Sequence, residues 1–277
     1  MDVTRIPTTP ADREAVLAAI GGLGSRDLTL PAGTSLTPPL PVGEHWVTAA
    51  GASIDNGILM YVHGGGFTHR NPPLMNLLAE RMSRATGRAA LVVHYPLAPA
   101  EPFPAALDAV LATYRELVAL VPASRVVLLS ESSGGTLALG LALTERPAGV
   151  IAISPVTDLS LGSPSIDTNA ATDAGVTRRL LEFLTGQYLA SAPADRAPQS
   201  PLFGDLTAMP PLLLAVGGAE ALLDDTLRFG EAATAAGVKT TIDVYDGMPH
   251  IFSVSTLDDV PVGRTLLTRV AEWAGQF

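Results

Sequence analysis

Short apolar runs without alternation recur along the chain, at residues 58–62, 89–93, 126–129, 150–153, 212–216 and 241–245. Each is bounded by turn formers. A strand covered on both faces of a sheet has this pattern, because neither face meets water. Longer segments with apolar residues at helical spacing lie between them, at 74–86, 104–120, 136–143, 222–236 and 264–273. Strand and helix alternate, which predicts an α/β fold with a mostly parallel sheet and helices on both faces. Residues 12–20 predict a short N-terminal amphipathic helix with an acidic first turn. Residues 21–41 are rich in Gly and Pro and are expected to be irregular. The alternation breaks at 154–210, where a helical stretch, 177–189, stands between polar, Pro-rich segments. An insertion of that kind is expected to cover a site. The expected organisation is a single domain over 1–277, with a small helical cap from about 1–42 and part of 156–200.

Composition narrows the function. Hydrophobic residues make up 47% of the 277, enough for a substantial core. A net charge of -10 argues against nucleic acid and against anionic membrane surfaces as partners. No cysteine is present, which excludes disulfides and thiolate chemistry. The first thirty residues carry Asp2, Asp12, Glu14 and Asp27 and no basic start before an apolar run, so no signal peptide is expected. No apolar stretch reaches the roughly 18 residues that a bilayer span needs, so no stable membrane insertion is expected. A soluble cytoplasmic protein is the expectation. Lys239 is the only lysine, a pattern read as genomic base composition.

Three segments carry candidate chemistry, in fixed order: His63-Gly64-Gly65-Gly66-Phe67, Ser130-Glu131-Ser132-Ser133-Gly134-Gly135 and Gly247-Met248-Pro249-His250-Ile251-Phe252. Ser132 follows the apolar run at 126–129 and precedes a helical pattern. A nucleophile on such a turn projects from the carboxyl edge of a sheet, at a helix N-terminus that favours negative charge. The usual spacing is Gly-x-Ser-x-Gly, and here Ser130 replaces the first Gly. Gly65 and Gly66, without Cβ atoms, allow backbone N–H groups to converge on a developing oxyanion, with the N–H of Ser133 as a third donor. Of the five histidines, only His250 follows the last strand pattern, where a general base is needed. His63 and His94 are expected to be structural, and His69 to be exposed or at the site rim. Glu220, just past the run at 212–216, is the candidate acid that orients the imidazole. Asp224 is the alternative, although a carboxylate in the first turn of a helix has an ordinary use there. Phe67, Arg70 and Glu131 lie beside these motifs and are candidates for the substrate pocket. The histidines show no close metal-binding spacing, and neither metal nor organic cofactor is expected.

The order Ser, acid, His resembles the α/β-hydrolases, and the motifs are similar to the hormone-sensitive-lipase branch of bacterial carboxylesterases. The likeness extends to Tyr95-Pro96-Leu97-Ala98-Pro99-Ala100-Glu101-Pro102-Phe103-Pro104-Ala105-Ala106, to Ser200-Pro201-Leu202-Phe203 and to Gly217-Gly218-Ala219-Glu220-Ala221-Leu222-Leu223-Asp224-Asp225, where Glu220 falls on the family's catalytic Asp and Asp224 on its second Asp. It covers roughly residues 45–275. It implies Ser132 as nucleophile, Glu220 as acid, His250 as base, a cap over the acyl pocket and, often, a homodimer. It also implies short acyl chains. The chain departs from the branch at the elbow, where Ser-Glu-Ser-Ser stands for Gly-Asp-Ser-Ala. It departs again beyond the glycines, where Arg70 and Asn71 seat an arginine that could meet an acidic substrate group.

The leading expectation is hydrolysis of short-chain carboxylic esters or lactones through an acyl-enzyme. A thioesterase, acyltransferase or cyclase of a biosynthetic pathway would use the same triad. A non-catalytic ligand receptor on the same scaffold is a third reading, and retention of His250 argues against it.

Overall fold

The computed structural model describes residues 2–38, 44–173 and 175–277. The chain enters through β1 (Asp2–Ile6), an edge strand with one face in water. Thr9 caps α1 (Pro10–Gly21), with Asp12 returning the bond in a capping box. Two short strands follow, β2 (Ser35–Thr37) and β3 (His45–Thr48). The body is then β4 (Ser53–Val62), α2 (Pro72–Thr86), β5 (Arg88–Val93), α3 (Ala105–Leu120), β6 (Val126–Glu131), α4 (Ser133–Ala142) and β7 (Gly149–Ile153). The inserted segment holds α5 (Ser165–Thr168) and α6 (Arg178–Leu189). The chain closes with β8 (Leu212–Gly217), α7 (Leu223–Ala235), β9 (Thr240–Tyr245) and α8 (Pro261–Ala274).

Among the described residues, nine strands form one sheet in the order β1-β9-β8-β7-β6-β4-β5-β3-β2. Every pairing is parallel except those of β3 with β2 and with β5. All six apolar runs are central strands. The edge strands β1 and β2, and the short β3 beside β2, carry no such run, because they are partly exposed to water and need no double-sided apolar surface. The expectation of an irregular stretch at 21–41 is therefore corrected: it contains a 3₁₀ turn at Leu23–Ser25 and strand β2. Residues 1, 39–42 and 174 of the expected cap segments lie outside the described residues. Helix α4 begins three residues before the expected 136, directly after Ser132.

Successive strand residues point to opposite faces and feed two cores. Met60 and Val62 pack with Val110 and Tyr114 of α3, Leu137 of α4 and Phe229 of α7. Leu59 and Tyr61 pack with Met75 and Leu78 of α2, Leu266 and Trp273 of α8 and Val16 of α1. α4 is buried on every side, as a helix that is apolar all round must be. Among the described residues, no helix is long and apolar enough to cross a membrane.

Candidate active site

The carboxyl ends of β6, β8 and β9 bring three separated residues together. Ser132 sits between the last residue of β6 and the first of α4 at φ 50, ψ -124, a backbone conformation that L-residues rarely adopt. Holding this turn requires close approach of its neighbours. A Cβ at Gly134 would lie 2.2 Å from the carbonyl oxygen of Val62 and 2.4 Å from that of His63. The substitution Gly134→Ala must therefore push α4 and the loop after β4 apart. It is expected to cost about 1–3 kcal/mol of stability by denaturant unfolding, with a fall in any turnover. Ser130 takes the place of the first glycine without strain, since its hydroxyl is buried and donates to the carbonyl of Ile151 on β7.

His250 follows β9 on a turn, and its Nε2 lies 3.0 Å from the Oγ of Ser132. Its Nδ1 lies 3.2 Å from Oε2 of Glu220, just beyond β8. A carboxylate can only accept, so the Nδ1–H donates to Glu220 and Nε2 is left to accept from the serine hydroxyl. The hydroxyl of Ser154, past the end of β7, donates to the same Oε2 at 2.9 Å. Both His250 and Glu220 are buried. Burial opposes a charged imidazole, but the hydrogen bond and charge of Glu220 outweigh it with help from Asp173 and Glu131. The His250 pKa is raised as a result. Burial also raises the Glu220 carboxyl, against the bonds from His250 and Ser154.

Asp224, the alternative acid, is engaged elsewhere: its carboxylate accepts from the backbone N–H of Ser165 at 2.7 Å. The buried Asp225 likewise accepts from the N–H groups of Thr157 and Asp158. These two carboxylates brace the inserted segment and do not meet the imidazole. The other histidines also lie apart from the relay. His63 stacks on Tyr95, with burial pushing it down to about 4. His94 is hydrogen-bonded to His45, and His69 is exposed.

The loop after β4 faces Ser132. Gly65 has φ +109, and a Cβ there would lie 2.2 Å from the carbonyl oxygen of His69, so only glycine fits. Its own carbonyl accepts from Thr68 and His69, which turns the loop back on itself. The N–H of Phe67 donates to the Oγ of Ser133, tying this loop to the start of α4. The N–H groups of Gly65 and Gly66 have no backbone acceptor among the described residues.

These groups open on a cavity of about 570 Å³. One wall is apolar, with Val176, Leu180, Leu181 and Leu184 from α6 and the segment before it. The lining also includes Leu23, Leu74, Met75 and Leu78, with Tyr61 and Glu131. The hydroxyl of Tyr61 donates to Glu131 at 2.6 Å. Phe67 is buried at the cavity, stacked on Tyr188 with 3.8 Å between ring centroids. Arg70 also lines the cavity, but its guanidinium is bound to the carbonyl of Tyr95 and lies 3.3 Å from Nδ1 of His94.

A sequence model described as the alpha/beta hydrolase fold matches residues 59–254. The chain belongs to the α/β-hydrolase fold family. Among its relatives, an acetyl-hydrolase of Streptomyces hygroscopicus is 34% identical over 266 residues, covering 94% of this chain and 85% of that protein. An esterase of Acinetobacter venetianus is 36% identical over 231 residues, covering 78% and 74%. The crystal structure of an esterase from the bacterial hormone-sensitive lipase family superposes with a TM-score of 0.86 at 31% identity, covering 98% of this chain and 93% of that one. This hydrolase thus shares its whole architecture with that branch.

Other side chains at the site carry no local sequence signal. Ser154 and Tyr61 stand in strand-end and strand contexts common to any α/β protein. Asn169 donates to the carbonyl of Glu220, and Asp173 accepts from the N–H of Ala221. Both come from the inserted segment, about fifty residues from the loop that they support.

Proposed function

We propose that this chain is a serine hydrolase that cleaves short-chain carboxylic esters or lactones through an acyl-enzyme. The observation that carries the reading is the continuous relay Glu220–His250–Ser132, opening on a partly open, largely apolar cavity. In this reading the Oγ of Ser132 attacks the ester carbonyl carbon while Nε2 of His250 takes its proton. The N–H groups of Gly65, Gly66 and Ser133 receive the charge that develops on the carbonyl oxygen. The tetrahedral intermediate collapses, the C–O bond to the alcohol breaks, and the imidazolium protonates the leaving alkoxide. Water then gives its proton to His250 and attacks the acyl carbon. Release of the acid returns the proton to Ser132. Glu220 holds the imidazole in the tautomer that these steps need and stabilises it when protonated.

The relatives named esterase and acetyl-hydrolase support the substrate class. The cap, in this reading, comes from about 1–42 and part of 156–200. Support for it comes from Leu23 and the α6 residues Leu180, Leu181 and Leu184, all of which line the cavity. Phe67 and Glu131 shape the pocket, whereas Arg70 is held against the end of β5 and serves the wall more than an acidic substrate.

A panel of p-nitrophenyl esters of increasing chain length, run beside lactones and thioesters, tests the reading. Turnover is expected to be highest for acyl chains of about two to eight carbons, by analogy with the family, and the cavity of about 570 Å³ has room for them. Better turnover of long-chain triglycerides would overturn the chain-length assignment. Exclusive turnover of thioesters would move the protein to the thioesterase class.

A further inference from the structure

The acid and base loops are joined by a closed ring of hydrogen bonds, and one member of that ring comes from the other end of the chain. The N–H of Ala219 donates to the carbonyl of Met248 at 3.0 Å, which links the residue before Glu220 to the turn before His250. The carbonyl of Ala219 accepts from the hydroxyl of Thr172 at 2.8 Å. The carbonyl of Thr172 accepts from Nη2 of Arg13 at 2.9 Å. Nη1 of Arg13 donates to the carbonyl of Gly247 at 3.1 Å, next to Met248, and the ring closes.

Arg13 stands in the first turn of α1. A cation there is opposed by the helix dipole, so its place is not accounted for by the helix. It has no carboxylate partner within salt-bridge distance among the described residues; two carbonyl oxygens on different loops take its two terminal nitrogens. A planar guanidinium can hold two acceptors at a set separation, which an ammonium cannot do. The other bonds of the ring are between elements of the second half of the chain. Without Arg13 the ring opens where the base turn meets the inserted segment. That turn is built around Gly247 at φ +68, and it sets where His250 points.

We propose that Arg13 is a positioning residue for the reaction, holding the Glu220 and His250 loops at the separation their hydrogen bond requires. This role rests on the serine-hydrolase reading given above. It acts through His250 and makes no contact with substrate.

The test compares Arg13→Ala, Arg13→Lys and Arg26→Ala with the wild type on p-nitrophenyl butyrate, with thermal midpoints measured in parallel. Arg26 ties the same N-terminal segment down elsewhere, through a two-point bond to Asp258 of 2.8 and 2.6 Å. Arg13→Ala is expected to lose about tenfold or more in kcat, as small misplacements of reacting groups do, while KM stays within about twofold. Arg13→Lys, which can reach one carbonyl at a time, is expected to fall between. Arg26→Ala is expected to hold kcat within about twofold even if its midpoint falls as far, since its half-buried ion pair to Asp258 anchors the segment without bonding the Glu220 loop or the turn before His250. An active wild type whose Arg13→Ala variant keeps its kcat overturns the role of Arg13 alone. So does an Arg26→Ala variant that loses as much kcat as Arg13→Ala, because general anchoring of the segment would then suffice. If Arg13→Ala does not fold, Arg13→Lys decides, and wild-type kcat in that variant overturns the role. A wild-type protein with no ester turnover overturns the serine-hydrolase reading and this role with it.

Discussion

Ser132→Ala is expected to fold with a near-native thermal midpoint and to lose about 10⁵- to 10⁶-fold in kcat. The size follows from what the hydroxyl does. Without Oγ no acyl-enzyme forms, and only the binding cavity and the oxyanion donors remain to act on a water molecule. Stability should change little, because the removed group meets only His250 at 3.0 Å, and the strain at φ 50 is present with either side chain. An active-site phosphonate supplies an independent readout: it should label Ser132 in the wild type. Labelling at Ser130 or Ser133 would reject the assignment. The geometry makes both poor candidates, since Ser130 Oγ is bonded to the carbonyl of Ile151 and Ser133 Oγ accepts from Phe67.

The second large effect separates two carboxylates four residues apart. Glu220→Gln is expected to reduce kcat by about 10⁴-fold, because an amide can present its NH₂ to Nδ1 and favour the tautomer in which Nε2 cannot accept from Ser132. It also removes the charge that stabilises the imidazolium. Asp224→Asn is expected to leave kcat within about tenfold of wild type and to act mainly on stability through the bond to Ser165, a charge-assisted bond worth about 1.5–3 kcal/mol. Loss of turnover in Asp224→Asn with normal turnover in Glu220→Gln would exchange the two roles.

The pH profile carries the same distinction. A base must be neutral, so kcat/KM is present above the His250 pKa and is lost as pH falls through it. Burial alone would lower that pKa, but the bond and charge of Glu220 raise it above the ordinary imidazole value. The acid limb of the wild type should therefore lie above that of a free imidazole. Residual activity of Glu220→Gln should show a limb displaced to lower pH. An unmoved limb would mean that Glu220 does not act on His250.

Elements buried on both faces were readable as sequence, because burial leaves a run of apolar residues that needs no context. β4 through β8 carry that record, as does α4, buried on every side, whereas the other helices show one apolar stripe at helical spacing. The elbow and the glycine loop were readable too, where steric demands restrict residue type locally. Gly65 and Gly134 are examples, since each must pass within 2.2 Å of a carbonyl oxygen if it gains a Cβ. The choice of Glu220 over Asp224 rested on its position past β8 and on family likeness. The bond to His250 and the engagement of Asp224 with Ser165 are visible only in three dimensions.

By itself, then, the sequence determined the layer architecture and the central strands and marked Ser132 and His250 as candidates, because these depend on short-range pattern or local sterics, while it left Glu220 and Asp224 both open as the acid. The tertiary structure alone decided the edge strands, whose half-wetted faces leave no apolar run. It also decided the partners of the relay. Ser154 bonds Glu220 itself, and Thr172, Asp173 and Arg13 bond the loops that carry Glu220 and His250, across separations of tens to hundreds of residues. A hydrogen bond between side chains that distant leaves no periodicity in the chain, and only the packed sheet brings its two ends together.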